Sequence, residues 1–169
     1  MLAALVALAG MFVALYLTLY KLGYIGTLVC AVGSCETVQT SKWATFLGFP
    51  VGAWGVAYYV AVLAVSLAGL SPALAEKPWV SQLLVGITGF GVAFSLWLTY
   101  LELFVIHAVC QWCVVSAILA GALLVISWLD LRDVRRWANE VAEELRGTGY
   151  GRGLRSTGEV SLRAVSPEE

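Results

Sequence analysis

The sequence predicts an all-α integral membrane protein, a bundle of four transmembrane helices with a long loop after the first helix and an amphipathic helix near the C-terminal end. Three observations carry this expectation. Hydrophobic residues make up 60% of the 169 residues and charged residues only 12%, about half the charged share of an average soluble domain. The charges are segregated, with 15 of the 21 lying after residue 129. Before that point, residues 1–20, 46–75, 78–101 and 108–129 are free of charge. Each is long enough to cross a bilayer, which takes about 20 apolar residues at a rise of about 1.5 Å each. Buried helices of soluble proteins seldom run uncharged for so long.

The first stretch lacks the basic start of a signal peptide and is longer than a usual apolar signal core, so it is expected to be a retained helix. Residues 21–47 follow as a loop carrying Gly23, Gly26, Gly33, Ser34, Ser41 and two cysteines. Gly48-Phe49-Pro50 opens the second helix, with proline near the first turn, where its missing N–H does no harm. Ser71-Pro72 to Lys77-Pro78 makes a short turn. The third connection, from Glu102 to Ala108, is so brief that the third and fourth helices must form a tight antiparallel pair.

Past residue 129 the pattern changes. Leu131, Val134, Ala138, Val141, Ala142 and Leu145 recur at helical spacing between arginines and glutamates, which predicts a juxtamembrane amphipathic helix. The glycine-rich segment 147–153 breaks it, and the remainder is polar enough to be disordered. Residues 1–130 are thus expected to form the transmembrane domain, and residues 131–169 the juxtamembrane helix with a polar tail.

Basic residues in short flanks set orientation. Lys77, Arg132, Arg135 and Arg136 fall on one side of a four-span topology, and Lys21 and Lys42 on the other. Both termini are therefore expected in the cytoplasm, and the first loop and third connection outside it, across the plasma membrane. A net charge of −1, with arginines interleaved among acids, gives no sign of a nucleic-acid partner.

The four cysteines are paired in sequence. Cys30 and Cys35 lie in the first loop as Cys-Ala-Val-Gly-Ser-Cys, and Cys110 and Cys113 open the fourth helix as Cys-Gln-Trp-Cys. The expected topology brings all four to one face of the membrane. A Cys-x-x-Cys pair has its sulfurs one helical turn apart, suited to making and breaking a disulfide. At a helix N-terminus the free N–H groups and the dipole favour the thiolate, the species that attacks disulfides. Cys110 should gain most from this, whereas Cys113 lies one turn deeper, within reach of an apolar carrier. Gly33 and Ser34 let the loop fold back so that Cys30 can meet Cys35. Two pairs in relay would connect a soluble thiol protein to an oxidant dissolved in the membrane.

Other uses of these residues carry their own weight. Four cysteines can ligate zinc, or serve as structural disulfides or small hydrophobes in a non-catalytic membrane protein. His107, one turn before Cys110, could stabilise its thiolate or take a proton, although a lone histidine at the headgroups is more often simply polar. Glu102 has similar standing and is expected to mark where the third helix leaves the lipid. Most tryptophans and tyrosines suit an interfacial belt; Trp112, between two cysteines, is the one expected to touch the site.

The pattern resembles the vitamin K epoxide reductase family and its bacterial and archaeal homologues. The matching residues are the loop cysteines, then Ser41, Phe46-Leu-Gly-Phe-Pro-Val-Gly52, Tyr58, and Cys110-Gln-Trp-Cys113. The resemblance covers roughly residues 5–130. It implies a four-helix oxidoreductase in which a reduced thioredoxin-like partner attacks the Cys30–Cys35 disulfide at Cys30. Cys35 then attacks Cys110, and Cys113 passes electrons to a quinone of the ubiquinone or menaquinone type, with Ser41, Trp112 and His107 expected beside it. The vertebrate members have an asparagine and a tyrosine where this sequence holds Ala44 and Ala117, which points to plain quinone reduction rather than epoxide reduction. Many bacterial members carry a fused thioredoxin domain. The polar tail here is too short for one, so the expected partner is a separate thioredoxin-like or DsbA-like thiol protein. The DsbB-like family also has four helices and two cysteine pairs, but with the Cys-x-x-Cys in the first outer loop, the reverse of the order here.

Overall fold

Long apolar runs close their own backbone hydrogen bonds as helices, the simplest way to satisfy N–H and C=O groups in lipid. The structure, a computed structural model, describes residues 1–71 and 78–147. In chain order it contains helix α1 (Leu2–Lys21), the short helix α2 (Cys35–Thr40), a 3-10 turn at Lys42–Ala44, strands β1 (Thr45–Phe46) and β2 (Phe49–Pro50), α3 (Val51–Ala68), α4 (Pro78–Leu101), a π-helical turn at Glu102–Ile106, and α5 (Gln111–Gly147). The long helices α1, α3, α4 with its π turn, and α5 are each long and apolar enough to cross a membrane. The protein is an all-α, multi-pass membrane bundle. Lys77, with most of the expected turn between the second and third helices, and the tail beyond Gly147 lie outside the described residues.

The bundle is apolar outside as well as inside. Phe12, Phe90, Leu96 and Ile118 are each at least 60% exposed, a surface that only lipid can cover without penalty. Small residues set how closely the helices approach, as is common where bundles pack in lipid. Ala7, Gly10 and Ala14 form a buried stripe on α1. A methyl group added at Gly10 would overlap the Tyr59 ring, and one at Gly91 of α4 would overlap the Tyr58 ring. Hydroxyls inside the bundle bond back to their own helices: Thr18 donates to the Ala14 carbonyl (2.7 Å), Thr88 to Leu84 (2.8 Å) and Ser127 to Leu123 (2.7 Å). Tyr59 Oη reaches across instead, donating to the Ser116 carbonyl on α5 at 2.9 Å.

The second helix begins at Val51, directly after the Gly48-Phe49-Pro50 stretch expected to open it, and the start of the uncharged run before it is not helical. Phe46–Pro50 is instead part of a hairpin in which Thr45 pairs with Pro50 and Phe46 with Phe49. Its two turn residues, Leu47 (φ 53°) and Gly48 (φ 83°), are both left-handed, the combination that matches the twist of a tight hairpin. Pro50 can neither donate to the ladder beyond nor bend into the helix before it, so the helix starts immediately after.

By its internal packing the chain divides into two units, Met1–Leu131 and Arg132–Glu169. In the second, the described residues 132–147 are helical and mostly exposed. Every residue of the site described below belongs to the first.

Candidate redox site

The cysteines meet at one end of the bundle because the first loop is pinned to the head of α5. The pin is Gly33, which forms an isolated antiparallel bridge with Cys110, while the Ser34 N–H donates to the Val109 carbonyl at 3.0 Å. Gly33 has φ +93°, and a side chain there would collide with the Val109 carbonyl oxygen. Only glycine satisfies both conditions. The two residues inside the Cys-x-x-Cys complete the clamp. Gln111 Oε1 accepts the N–H groups of Ala31 (3.0 Å) and Val32 (3.2 Å), and the Trp112 indole N–H donates to the Val29 carbonyl at 2.9 Å. Tyr16 of α1 packs edge-on against Trp112, with centroids 5.4 Å apart, and its hydroxyl accepts the Val29 N–H at 3.1 Å. A loop free to swing between partners is the simplest expectation for a shuttle disulfide. The structure shows instead a loop held by backbone bonds on both sides of Cys30.

Within this clamp Cys30 and Cys35 form a disulfide with Cα atoms 6.4 Å apart, while Cys110 and Cys113 are free thiols. Exposure falls along the series. Cys30 is half-buried, Cys35 is 2% exposed and Cys110 is 0% exposed. Cys35 and Cys110 share one apolar cluster with Leu17, Leu28 and Val38, against which Cys30, Cys113 and Trp112 also pack. Cys113 faces a different space, a cavity of about 300 Å³ between α1, α3, α4 and α5.

Cys110 is the residue immediately before α5, and its carbonyl accepts the Val114 N–H at 3.1 Å. The Cys110 thiol is held below its ordinary range, first by a hydrogen bond from the Cys113 thiol and further by the N–H groups of Cys113 and Trp112. Burial and the charge of Glu102 oppose this and are outweighed. A sulfur so placed is a good leaving group in thiol–disulfide exchange.

Two polar residues at this end of the bundle gave little signal in the sequence. Glu102 directly follows the last residue of α4, where the third helix is expected to leave the lipid, and is 4% exposed. The π turn that begins there, closed by His107 in a left-handed conformation, curls the chain back so that Glu102 Oε2 accepts the Cys110 N–H at 3.0 Å. Gln39 on α2 is 7% exposed, and its amide lies 3.9 Å from the Cys113 sulfur. Lys21 Nζ donates to the Gln39 carbonyl at 2.6 Å, tying the end of α1 to the same corner. Glu102 could have been found as the only charge between residues 78 and 129. Nothing distinguishes Gln39 from other loop amides until the fold places it.

The cavity is lined by Glu102, Gln39 and Cys113 at its polar end and by Phe46, Trp54, Phe90 and Phe94 along apolar walls. Phe46, from the hairpin, stands at the centre of an aromatic group, with ring centroids 6.2 Å from Trp54, 6.2 Å from Phe94 and 6.0 Å from Trp97. Gly52, Gly55 and Gly91 flatten its sides, and the Tyr58 hydroxyl in its wall is buried without a hydrogen-bond partner among the described residues. Of the residues expected from sequence to contact an electron acceptor, Cys113 lines this cavity. Trp112 is turned to the loop, Ser41 donates its hydroxyl to the Val38 carbonyl at 2.7 Å, and His107 is exposed; none of these three lines it. Among the described residues, no group of three or more His, Cys, Asp or Glu is placed to share a metal ion. A family model described as the vitamin K epoxide reductase family matches residues 1–128.

Proposed function

The chain belongs to the vitamin K epoxide reductase family, a family of membrane thiol oxidoreductases, and we propose that it oxidises a thioredoxin-like partner and passes the electrons to a quinone. The observation that carries this reading is the ordered series of sulfurs, from Cys30, partly exposed on the outer loop, through buried Cys35 and Cys110 to Cys113 on the wall of an apolar cavity. A zinc centre or a set of structural disulfides has no need of such a gradient.

The steps follow from access. A partner thiolate can reach only Cys30, and attack there forms a mixed disulfide and releases Cys35. A second partner thiol resolves that bond, leaving the partner oxidised and Cys30 and Cys35 as thiols. Cys35, packed with Cys110, attacks it in the Cys110–Cys113 disulfide and releases Cys113. Cys30 then attacks Cys35, restoring the outer disulfide and expelling Cys110, whose depressed thiol range suits it to leave. This yields the state present in the structure, with the outer pair oxidised and the inner pair reduced.

The cavity suits a quinone ring. Its volume lies at the lower end of small-molecule sites, its walls are aromatic and glycine-flattened, and the Tyr58 hydroxyl supplies a donor with nothing else to bond. A quinone held there accepts two electrons and two protons and leaves as the quinol. The acceptor is of the ubiquinone or menaquinone type, and the thiol partner is a thioredoxin-like or DsbA-like protein. The Cys30 side faces away from the cytoplasm, with both termini inside, as the distribution of basic residues favours.

Quinone-dependent reoxidation of a reduced thioredoxin-like protein by the purified chain in detergent tests this. Wild type should turn over, while Cys30→Ala, Cys35→Ala, Cys110→Ala and Cys113→Ala should each lose at least about 10²-fold in rate, since covalent relays have no parallel route. Inert wild type with both quinone types, or full activity without Cys113, would overturn it.

A further inference from the structure

A carboxyl group inside a membrane bundle is costly unless something there uses it. Glu102 is such a group. It is 4% exposed, lies at the polar end of the apolar cavity, and presents its Oε2 to the Cys110 N–H at 3.0 Å. The Cys113 thiol lines the same end of the cavity, with the Gln39 amide 3.9 Å from its sulfur. Glu102 therefore touches the two things that must exchange protons, the inner thiol pair and the space in which the acceptor sits. The π turn at Glu102–Ile106 is what puts it there, and such turns are frequent at functional sites.

We propose that Glu102 is the proton acceptor of the inner thiol pair, taking the Cys113 proton as the Cys110–Cys113 disulfide closes and handing it to the reduced acceptor in the cavity. This rests on the quinone reading above. The balance is as follows. The S–S bond forms as Cys110 and Cys113 give up two electrons, which the quinone takes. The Cys113 proton passes to a Glu102 carboxylate oxygen and on to one quinol oxygen. The second quinol proton, shed by Cys110 when it ionises, returns from water at the loop end. Glu102 finishes as the carboxylate with which it began.

The neighbouring groups leave this role to Glu102. At the head of α5 its neighbours are Cys110 and Cys113, and the cavity it lines is also lined by Tyr58 and Tyr59 of α3. On α2, Cys35 is locked in its disulfide and Glu36 is exposed. Lys21 of α1 is engaged by the Gln39 carbonyl. His107, the other base nearby, is exposed and does not line the cavity.

A purely structural role would be to cap the Cys110 N–H, and a glutamine does that equally well. E102Q therefore separates the two. If Glu102 carries the proton, E102Q folds and still exchanges disulfides between the two pairs, but reduces quinone roughly 10²-fold or more slowly. The infrared difference spectrum between phosphine-reduced and oxidised protein, taken without quinone, should show in wild type a carboxyl-group band, the shift of the Glu102 carboxylate stretch as the thiols beside it close into a disulfide, that E102Q lacks. A quinone-reduction rate in E102Q within a few-fold of wild type, no carboxyl band in wild type, or a band that persists in E102Q would each overturn the assignment. Should E102Q not fold, E102D carries the same comparison, with the band shifted and the rate reduced. If wild type reduces no quinone at all, the acceptor reading fails while the infrared band still decides whether Glu102 follows the redox state of the pair.

Discussion

Tyr58 and Cys110 show how single atoms set the chemistry at this site. The Tyr58 hydroxyl is buried in the cavity wall with no partner, a state that costs free energy in the absence of a ligand. If it donates to an acceptor carbonyl, Tyr58→Phe should raise the KM for quinone about 3- to 10-fold, the weight of one neutral hydrogen bond. kcat and folding should hardly change. An unchanged KM would mean that the ring binds elsewhere in the cavity. Cys110 makes a prediction in pH. Its thiol is held below the ordinary range of about 8.5, chiefly by the Cys113 thiol and the adjoining N–H groups. In reduced Cys30→Ala, Cys35→Ala protein, thiolate absorbance should therefore persist below that range and be lost as the pH falls through the lowered value. Replacing Cys113 by alanine should move the transition upward, since the largest cause of the shift goes with it. A transition at the ordinary thiol value in the parent protein would contradict the geometry at the helix head.

The loop of residues 29–34 is the element that makes two distant pairs into one site. Its bonds to the head of α5 lie on both sides of Cys30, and Gly33 is the position in it where the contact admits no side chain. Gly33→Ala must either adopt a strained φ or lift the loop away, a cost of roughly 1–3 kcal/mol. The expected result is faster amide exchange over residues 29–34, slower disulfide exchange between the pairs, and little loss of helix content. Unchanged amide exchange would show that the pin carries no weight. In the sequence Gln111 is legible only as the filling of a Cys-x-x-Cys motif and Trp112 as a neighbour of the acceptor, and the structure gives both a job at the loop. Their side chains hold the loop, and their backbone belongs to the helix that favours the Cys110 thiolate.

Across the whole molecule, the proposed sidedness is open to direct measurement. With Cys30 on the extracytoplasmic face, a membrane-impermeant thiol reagent should label Cys30 in intact cells after mild reduction. A reporter attached after residue 169 should be active in the cytoplasm. The reverse of both results would invert the topology while leaving the relay intact. The sequence by itself determined the bundle, because a span needs only length, apolarity and freedom from charge, all of which are local properties. It determined the cysteine pairs for the same reason, as each pair is contiguous in the chain. Pro50 marked the start of α3, because a proline's fixed φ and missing N–H are local properties too, whereas the hairpin before it depends on pairing that charge counting cannot see. Tertiary structure alone decided that Glu102 turns inward rather than towards the headgroups, that Gln39 reaches Cys113, and that Cys113 rather than Ser41, Trp112 or His107 lines the cavity. Those placements depend on where a π turn, a short helix and a pinned loop meet, and contacts between residues as far apart as Val29 and Trp112 leave no periodic trace in the chain.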